Sequence, residues 1–144
     1  YTAAGIGQVV AARAYIAGAS GGCQAEIGTA SAMAAGALTA LRGGSPSQIT
    51  HAAAMALKNR LGLVCDPVGG LVEYPCQNRN AAGVANALVA AEMALAGITQ
   101  LIPLDEMINV MYTVGKKLPA ELRETALGGC ATAPSACKSC HMCS

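Results

Sequence analysis

Apolar positions in this chain recur mainly at helical spacing, and glycines and prolines cut the pattern into segments. Ala3 to Ala17 reads as a first helix, stopped by Gly18 and the Gly21-Gly22 pair. Gln24 to Leu41 reads as a second, stopped by Gly43 and Gly44. Ser45-Pro46-Ser47 announces a third, with Ser45 as N-cap and Pro46 at the first helical position. Ile49, Ala53, Ala56 and Leu57 follow at helical intervals, and Gly62 lies just beyond the end. A loop rich in Pro and Gly, Cys65 to Cys76, then interrupts the helices. A fourth helix is expected from about Asn80 to Ala96. Pro103, Asp105 and Glu106 open a fifth, which closes on Lys116 and Lys117, so its charges match the helix dipole. Leu118-Pro119 starts a short sixth helix ending near Gly128. No period-two strand pattern and no tandem repeat is present. The expected fold is all-α, a compact bundle of about six Ala-rich helices around one cysteine loop.

Composition sharpens this picture. The 144 residues are 53% hydrophobic and 12% charged, which excludes disorder and fits one domain or part of one. With four Tyr and no Trp or Phe, core volume comes from Ala, Leu, Val, Ile and six Met. Such small side chains bury enough area only if the helices approach closely. The net charge is +1 and the basic residues are scattered, so no nucleic-acid partner is expected.

Mean hydropathy is high, at +0.44. The longest stretches free of charge, Ile27 to Leu41 and Gly43 to Leu57, are nonetheless shorter than the ~18 residues of a spanning helix. A soluble, cytoplasmic protein with no membrane partner is the expectation. No signal peptide is recognisable, and seven cysteines cannot all pair within one chain. The start at Tyr1, already close to an Ala-rich segment, reads as a fragment or a processed piece.

The thiols carry the chemistry. Cys65-Asp66-Pro67-Val68-Gly69-Gly70-Leu71-Val72-Glu73-Tyr74-Pro75-Cys76 holds two of them on a loop stiffened by two prolines. Cys23 stands after Gly21-Gly22 at the expected start of a helix, where unpaired N–H groups and the dipole favour an anion. These three are candidate ligands for a metal or an iron–sulfur cluster. Their wide spacing is not that of a zinc ribbon or a ferredoxin run. The alternative is that they are small buried hydrophobes in an Ala-rich core. Arg79 offers a two-pronged fork for a substrate carboxylate, with Asn80 beside it, though Asn80 is equally an N-cap for the next helix. Asp66 is either a partner for an ammonium group or an ordinary turn residue before proline. Glu26 is either a catalytic base or an acidic residue in the first turn of a helix. His51, in mid-helix, reads as structural.

Four segments occur in a telling order: Cys23-Gln24-Ala25-Glu26-Ile27-Gly28, the block Cys65 to Asn80, Ala91-Glu92-Met93-Ala94-Leu95-Ala96-Gly97, and Leu118-Pro119-Ala120-Glu121-Leu122-Arg123-Glu124-Thr125. Together they resemble the alpha chain of the iron–sulfur-dependent bacterial L-serine dehydratases, over nearly the whole chain up to Gly129. The resemblance implies a lyase that converts L-serine to pyruvate and ammonia without pyridoxal phosphate. It implies a [4Fe–4S] cluster on Cys23, Cys65 and Cys76, with an open iron acting as a Lewis acid on the β-hydroxyl. It also implies a longer alpha chain and a beta chain or fused beta domain, so this chain alone is expected to be inactive and to associate with itself or a partner.

Residues 1–129 are therefore expected to form the cluster-binding domain and 130–144 a cysteine-rich tail. In the tail Cys130 precedes Cys137, Cys140 and Cys143, and the last three are evenly spaced. They suit zinc, a second metal or a cap on the open iron, with Cys143 the preferred cap. Two other functions stay open on these residues: a non-enzymatic iron–sulfur or zinc module, and a related lyase acting on L-cysteine.

Overall fold

A computed structural model describes residues 1–139 of the chain. Among them are seven α-helices: α1 (Thr2–Arg13), α2 (Gly18–Gly21), α3 (Cys23–Leu41), α4 (Pro46–Lys58), α5 (Cys76–Leu95), α6 (Leu104–Lys117) and α7 (Pro134–Ser139). Three short 3-10 turns, Val68–Gly70, Ala120–Leu122 and Gly129–Thr132, lie in the connections. The all-α expectation holds. No helix among the described residues is long and apolar enough to cross a membrane.

Helix α3 is the axis of the bundle and packs against α1, α4 and α5, while α6 closes it against α4. The core between them is built from Val10, Ala32, Ala35, Ala53, Met55, Leu57, Ala87, Ala90, Met107, Ile108 and Met111. Alanine and glycine at the contacts bring the backbones together. Ser31 Oγ on α3 donates to the Gly83 carbonyl of α5 at 3.0 Å, and a methyl group on Gly83 would lie 3.0 Å from Ser31 Oγ and from Ile27. Methionines fill the wider gaps. Buried Asn86 of α5 ties two helices, donating to the Ala56 carbonyl of α4 at 2.8 Å. His51 has the structural role read for it, accepting the Gln100 N–H at 3.1 Å.

Helix α4 starts where the sequence says it should. The Gln48 N–H donates to Ser45 Oγ at 3.3 Å and the Ser45 N–H donates to Gln48 Oε1 at 2.9 Å, a reciprocal cap with Pro46 at the first helical position.

Three boundaries differ from expectation. The first helix ends at Arg13 rather than Ala17, because the chain turns extended at Ala14. That turn lets the Tyr15 ring meet Tyr112 of α6 at 5.0 Å between centroids. Helix α5 begins at Cys76, so Asn80 lies inside it and is not its N-cap; Pro75 holds the cap position. The sixth helix does not form. After the 3-10 turn Ala120–Leu122, the chain leaves the helical conformation and Arg123 pairs with Cys65 in an isolated parallel bridge. The backbone groups that would have closed helical turns are spent on Cys65.

Candidate metal centre

Cys23 and Cys65 meet from two separate elements, and Cys76, on a third, lies near enough to act on both by charge. Cys23 is the first residue of α3, Cys76 the first of α5, and Cys65 sits on the segment after α4. They are 1%, 8% and 2% exposed respectively, and none is in a disulfide. Cys23 and Cys65 share a small apolar cluster with Ile27 and Leu63, and their thiols are close enough to share a hydrogen bond. Two of the three thus stand at helix N-termini, where an anionic sulfur is favoured.

Local structure fixes each one. The Gln24 N–H donates to the Leu63 carbonyl at 2.8 Å, pinning the start of α3 to the segment leading to Cys65. The buried Gln24 side chain adds two ties: its amide donates to the Met111 carbonyl at 3.0 Å, and its oxygen accepts the Gly62 N–H at 2.9 Å. Cys65 is bonded on both sides of its backbone, its N–H to the Leu122 carbonyl at 2.9 Å and its carbonyl to the Glu124 N–H at 2.7 Å. Gly18 leaves space for the sulfur: a methyl group there would lie 2.9 Å from Cys65 Sγ and 3.2 Å from a Glu26 carboxylate oxygen.

Burial pushes the thiols of Cys23, Cys65 and Cys76 above the usual cysteine range. Each is held as a neutral thiol in the metal-free protein. Arg79, the nearest cation, favours the charged forms of Cys23 and Cys76 without offsetting burial. A thiophilic metal displaces such protons when it binds. Among the described residues, no group of three or more His, Cys, Asp or Glu is arranged to hold a single metal ion.

The acidic candidates separate sharply. Glu26 is exposed, and its charge acts on both Cys23 and Cys76, so its carboxylate lies near these thiols. Asp66 is 3% exposed and fully engaged by the protein. Its Oδ1 accepts from Arg79 Nη1, and its Oδ2 accepts the Cys130 N–H at 2.6 Å. Burial alone would raise its pKa; the bonds from Cys130 and Arg79 outweigh burial and hold the carboxyl below its ordinary value.

Arg79 Nη1 also donates to the Val64 carbonyl at 3.0 Å, so this cation is tied to both neighbours of Cys65. Asn80, exposed and one turn beyond Cys76, lines a cleft of about 300 Å³ between α3 and α5 with Ile27, Ser31 and Val84. Ile27 is shared with the thiol cluster, so the cleft adjoins it. In the tail, Cys130 lies against Asp66, and Cys137 Sγ faces the Ala131 carbonyl at 3.9 Å. Cys140 and the preferred cap, Cys143, lie outside the described residues. The sequence reading missed the roles of Gln24, Gly18 and Cys130. Gln24 carried a signal, being a polar residue directly after Cys23 in an alanine-rich helix.

Residues 1–131 match the family described as "Serine dehydratase alpha chain", and the chain belongs to that family. Over 135 residues it is 58% identical to a protein named "Probable L-serine dehydratase, alpha chain" from Bacillus subtilis, covering 94% of this chain and 45% of that one. Identity is 55% over 130 residues to an L-serine dehydratase alpha chain of Peptoniphilus asaccharolyticus, covering 90% of this chain and 44% of that one. An L-serine dehydratase of Escherichia coli is 47% identical over 133 residues, covering 91% of this chain and 29% of that one. The chain thus spans less than half of each of these three relatives.

Proposed function

We propose that this chain is the cluster-bearing part of an L-serine dehydratase, a lyase releasing pyruvate and ammonia from L-serine. The observation that carries the reading is the convergence of Cys23, Cys65 and Cys76 from three elements, in a chain whose relatives bear that name. The donor set is all sulfur and buried, two members stand at helix N-termini, and a cation lies nearby. A single zinc ion needs all its donors within ~2.3 Å of one point, whereas a cluster spreads them over separate irons. Sulfur donors brought from separate elements suit a [4Fe–4S] cluster, and Cys23, Cys65 and Cys76 are its proposed ligands. When bound, such a cluster supplies a Lewis acid that eases departure of the serine β-hydroxyl.

The chain's own residues do the rest. Glu26 is the candidate for removing the α-proton, because its carboxylate is accessible and borders the thiols, whereas Asp66 has no oxygen left over. Arg79 uses Nη1 to hold Asp66 and Val64, and the rest of its fork makes no hydrogen bond among the described residues. We assign that free part of the fork to the serine carboxylate, with Asn80 lining the adjoining cleft. The cluster thiolates need no Lys-bound cofactor, and pyridoxal phosphate is not part of this reading. The relatives extend well beyond the matched segment, so the remaining alpha-chain sequence and a beta chain or domain are proposed to complete the pocket.

The test is a substrate panel on the complete protein, purified and reconstituted without oxygen. Pyruvate from L-serine at a rate well above that of pyruvate from L-cysteine or of 2-oxobutyrate from L-threonine is expected. A preference for L-cysteine would move the assignment to a related lyase. Bound iron with no turnover of any of the three would favour a non-enzymatic module.

A further inference from the structure

The segment after α6 wraps around Cys65 and is fastened by a single buried carboxylate. Leu122 and Glu124 bond both backbone groups of Cys65, and six residues after Glu124 the Cys130 N–H reaches Asp66 Oδ2 at 2.6 Å. Asp66 Oδ1 holds Arg79, whose same nitrogen reaches back to the Val64 carbonyl. The residues on both sides of Cys65 are thereby tied to one ion pair. The fit at the fastening point is close: Gly129 has φ +62, and a methyl group there would lie 2.3 Å from Asp66 Oδ2. Between the two attachments, Glu124 and Ala126 adopt positive φ of 65° and 57°. Such backbone persists only when its surroundings hold it there.

We propose that Asp66 is a positioning residue that, with Arg79, latches residues 122–130 around Cys65 and so fixes the direction of that thiol. It touches no substrate. This rests on the reading of Cys65 as a cluster ligand, and it assigns the carboxylate a task different from binding an ammonium group. The latch also sets where the tail begins, since the turn Gly129–Thr132 and helix α7 pack on the Val68–Gly70 turn of the cysteine loop.

The test uses the full chain with its partners, prepared without oxygen, and reads two signals besides activity. The first is the rate of tryptic cleavage after Arg123 in the metal-free protein, which reports opening of the wrap. The second is the electron spin resonance spectrum of the reduced, iron-loaded protein. Asp66→Ala is expected to speed cleavage after Arg123 by about tenfold or more and to broaden the cluster spectrum, with helical circular dichroism unchanged. Cys130→Ala keeps the backbone N–H that Asp66 binds and loses only the thiol's bond to the same carboxylate, so it is expected to open far less than Asp66→Ala in both signals. If Asp66→Ala does not fold, Asp66→Asn carries the test: it keeps the shape, loses the charge facing Arg79, and should speed cleavage by about threefold.

Wild-type cleavage and spectrum in the Asp66 variants would overturn the latch, as would a Cys130→Ala variant as open as Asp66→Ala. The two readings fail separately. Faster cleavage in Asp66→Ala with no iron in the wild type keeps the latch and removes the cluster. Normal iron with unchanged cleavage does the reverse.

Discussion

Glu26 and Asp66 are both acidic residues close in sequence to a cysteine, yet the fold gives them opposite surroundings. Glu26 stays exposed beside the thiols, whereas Asp66 is buried and bonded to Arg79 and Cys130. Glu26→Gln removes the proposed base while keeping nearly the same shape. It is expected to lower kcat for serine by about 10²- to 10⁴-fold with iron content at the wild-type level. Loss of iron in that variant, or unchanged kcat, would remove Glu26 from the chemistry. Cys23 and Cys65, which the fold brings together, stand out in the sequence because a glycine pair and a proline-rich loop flank them. The task of Asp66 does not, because its partner Cys130 lies far along the chain and nothing near Asp66 in sequence indicates the contact.

At the scale of elements, the sequence read best where local chemistry decides the outcome. The reciprocal cap of Ser45 and Gln48 starts α4 as expected, and the acidic and basic ends of α6 fall where the dipole favours them. Ser45→Ala should cost about 0.5–2 kcal/mol in urea unfolding. Non-local bonding defeated the reading at Arg123, where pairing with Cys65 takes the backbone out of a helix. The same holds at Ala14, where the chain leaves α1 and the rings of Tyr15 and Tyr112 come together. Gln24 is the buried tie between α3, α6 and the turn before Cys65. Gln24→Leu leaves the Gly62 N–H unpaired and should destabilise by about 1–3 kcal/mol. It should also weaken iron retention, because it loosens the start of α3 that carries Cys23. Wild-type stability and iron content in this variant would show that the tie is dispensable.

At the scale of the whole molecule, apolar surface is left uncovered. Val84, Leu88 and Val89 on α5 are 63%, 50% and 54% exposed, and Leu71, Val72 and Tyr74 stand out from the cysteine loop. Clusters of this kind mark surfaces that another body covers. The relatives' extra length supplies a source for it, and the proposed pocket lacks a complete set of substrate contacts without it. The isolated 144-residue chain is therefore expected to self-associate in sedimentation experiments. Its turnover of serine should fall at least about 10²-fold below that of the complete protein, because a poorly held substrate loses the benefit of orientation. A monomer with full turnover would place the entire active site within this chain.

Iron and sulfide analysis with electron spin resonance reads directly whether Cys23, Cys65 and Cys76 together hold an iron–sulfur cluster. The complete protein, reconstituted without oxygen, should bind iron and sulfide in equal amounts and show a cluster signal that changes when L-serine is added. Each single Cys→Ser variant at these three positions should lose the intact cluster. Full iron and sulfide content in all three variants, or a reconstituted wild type that binds neither, would contradict the account.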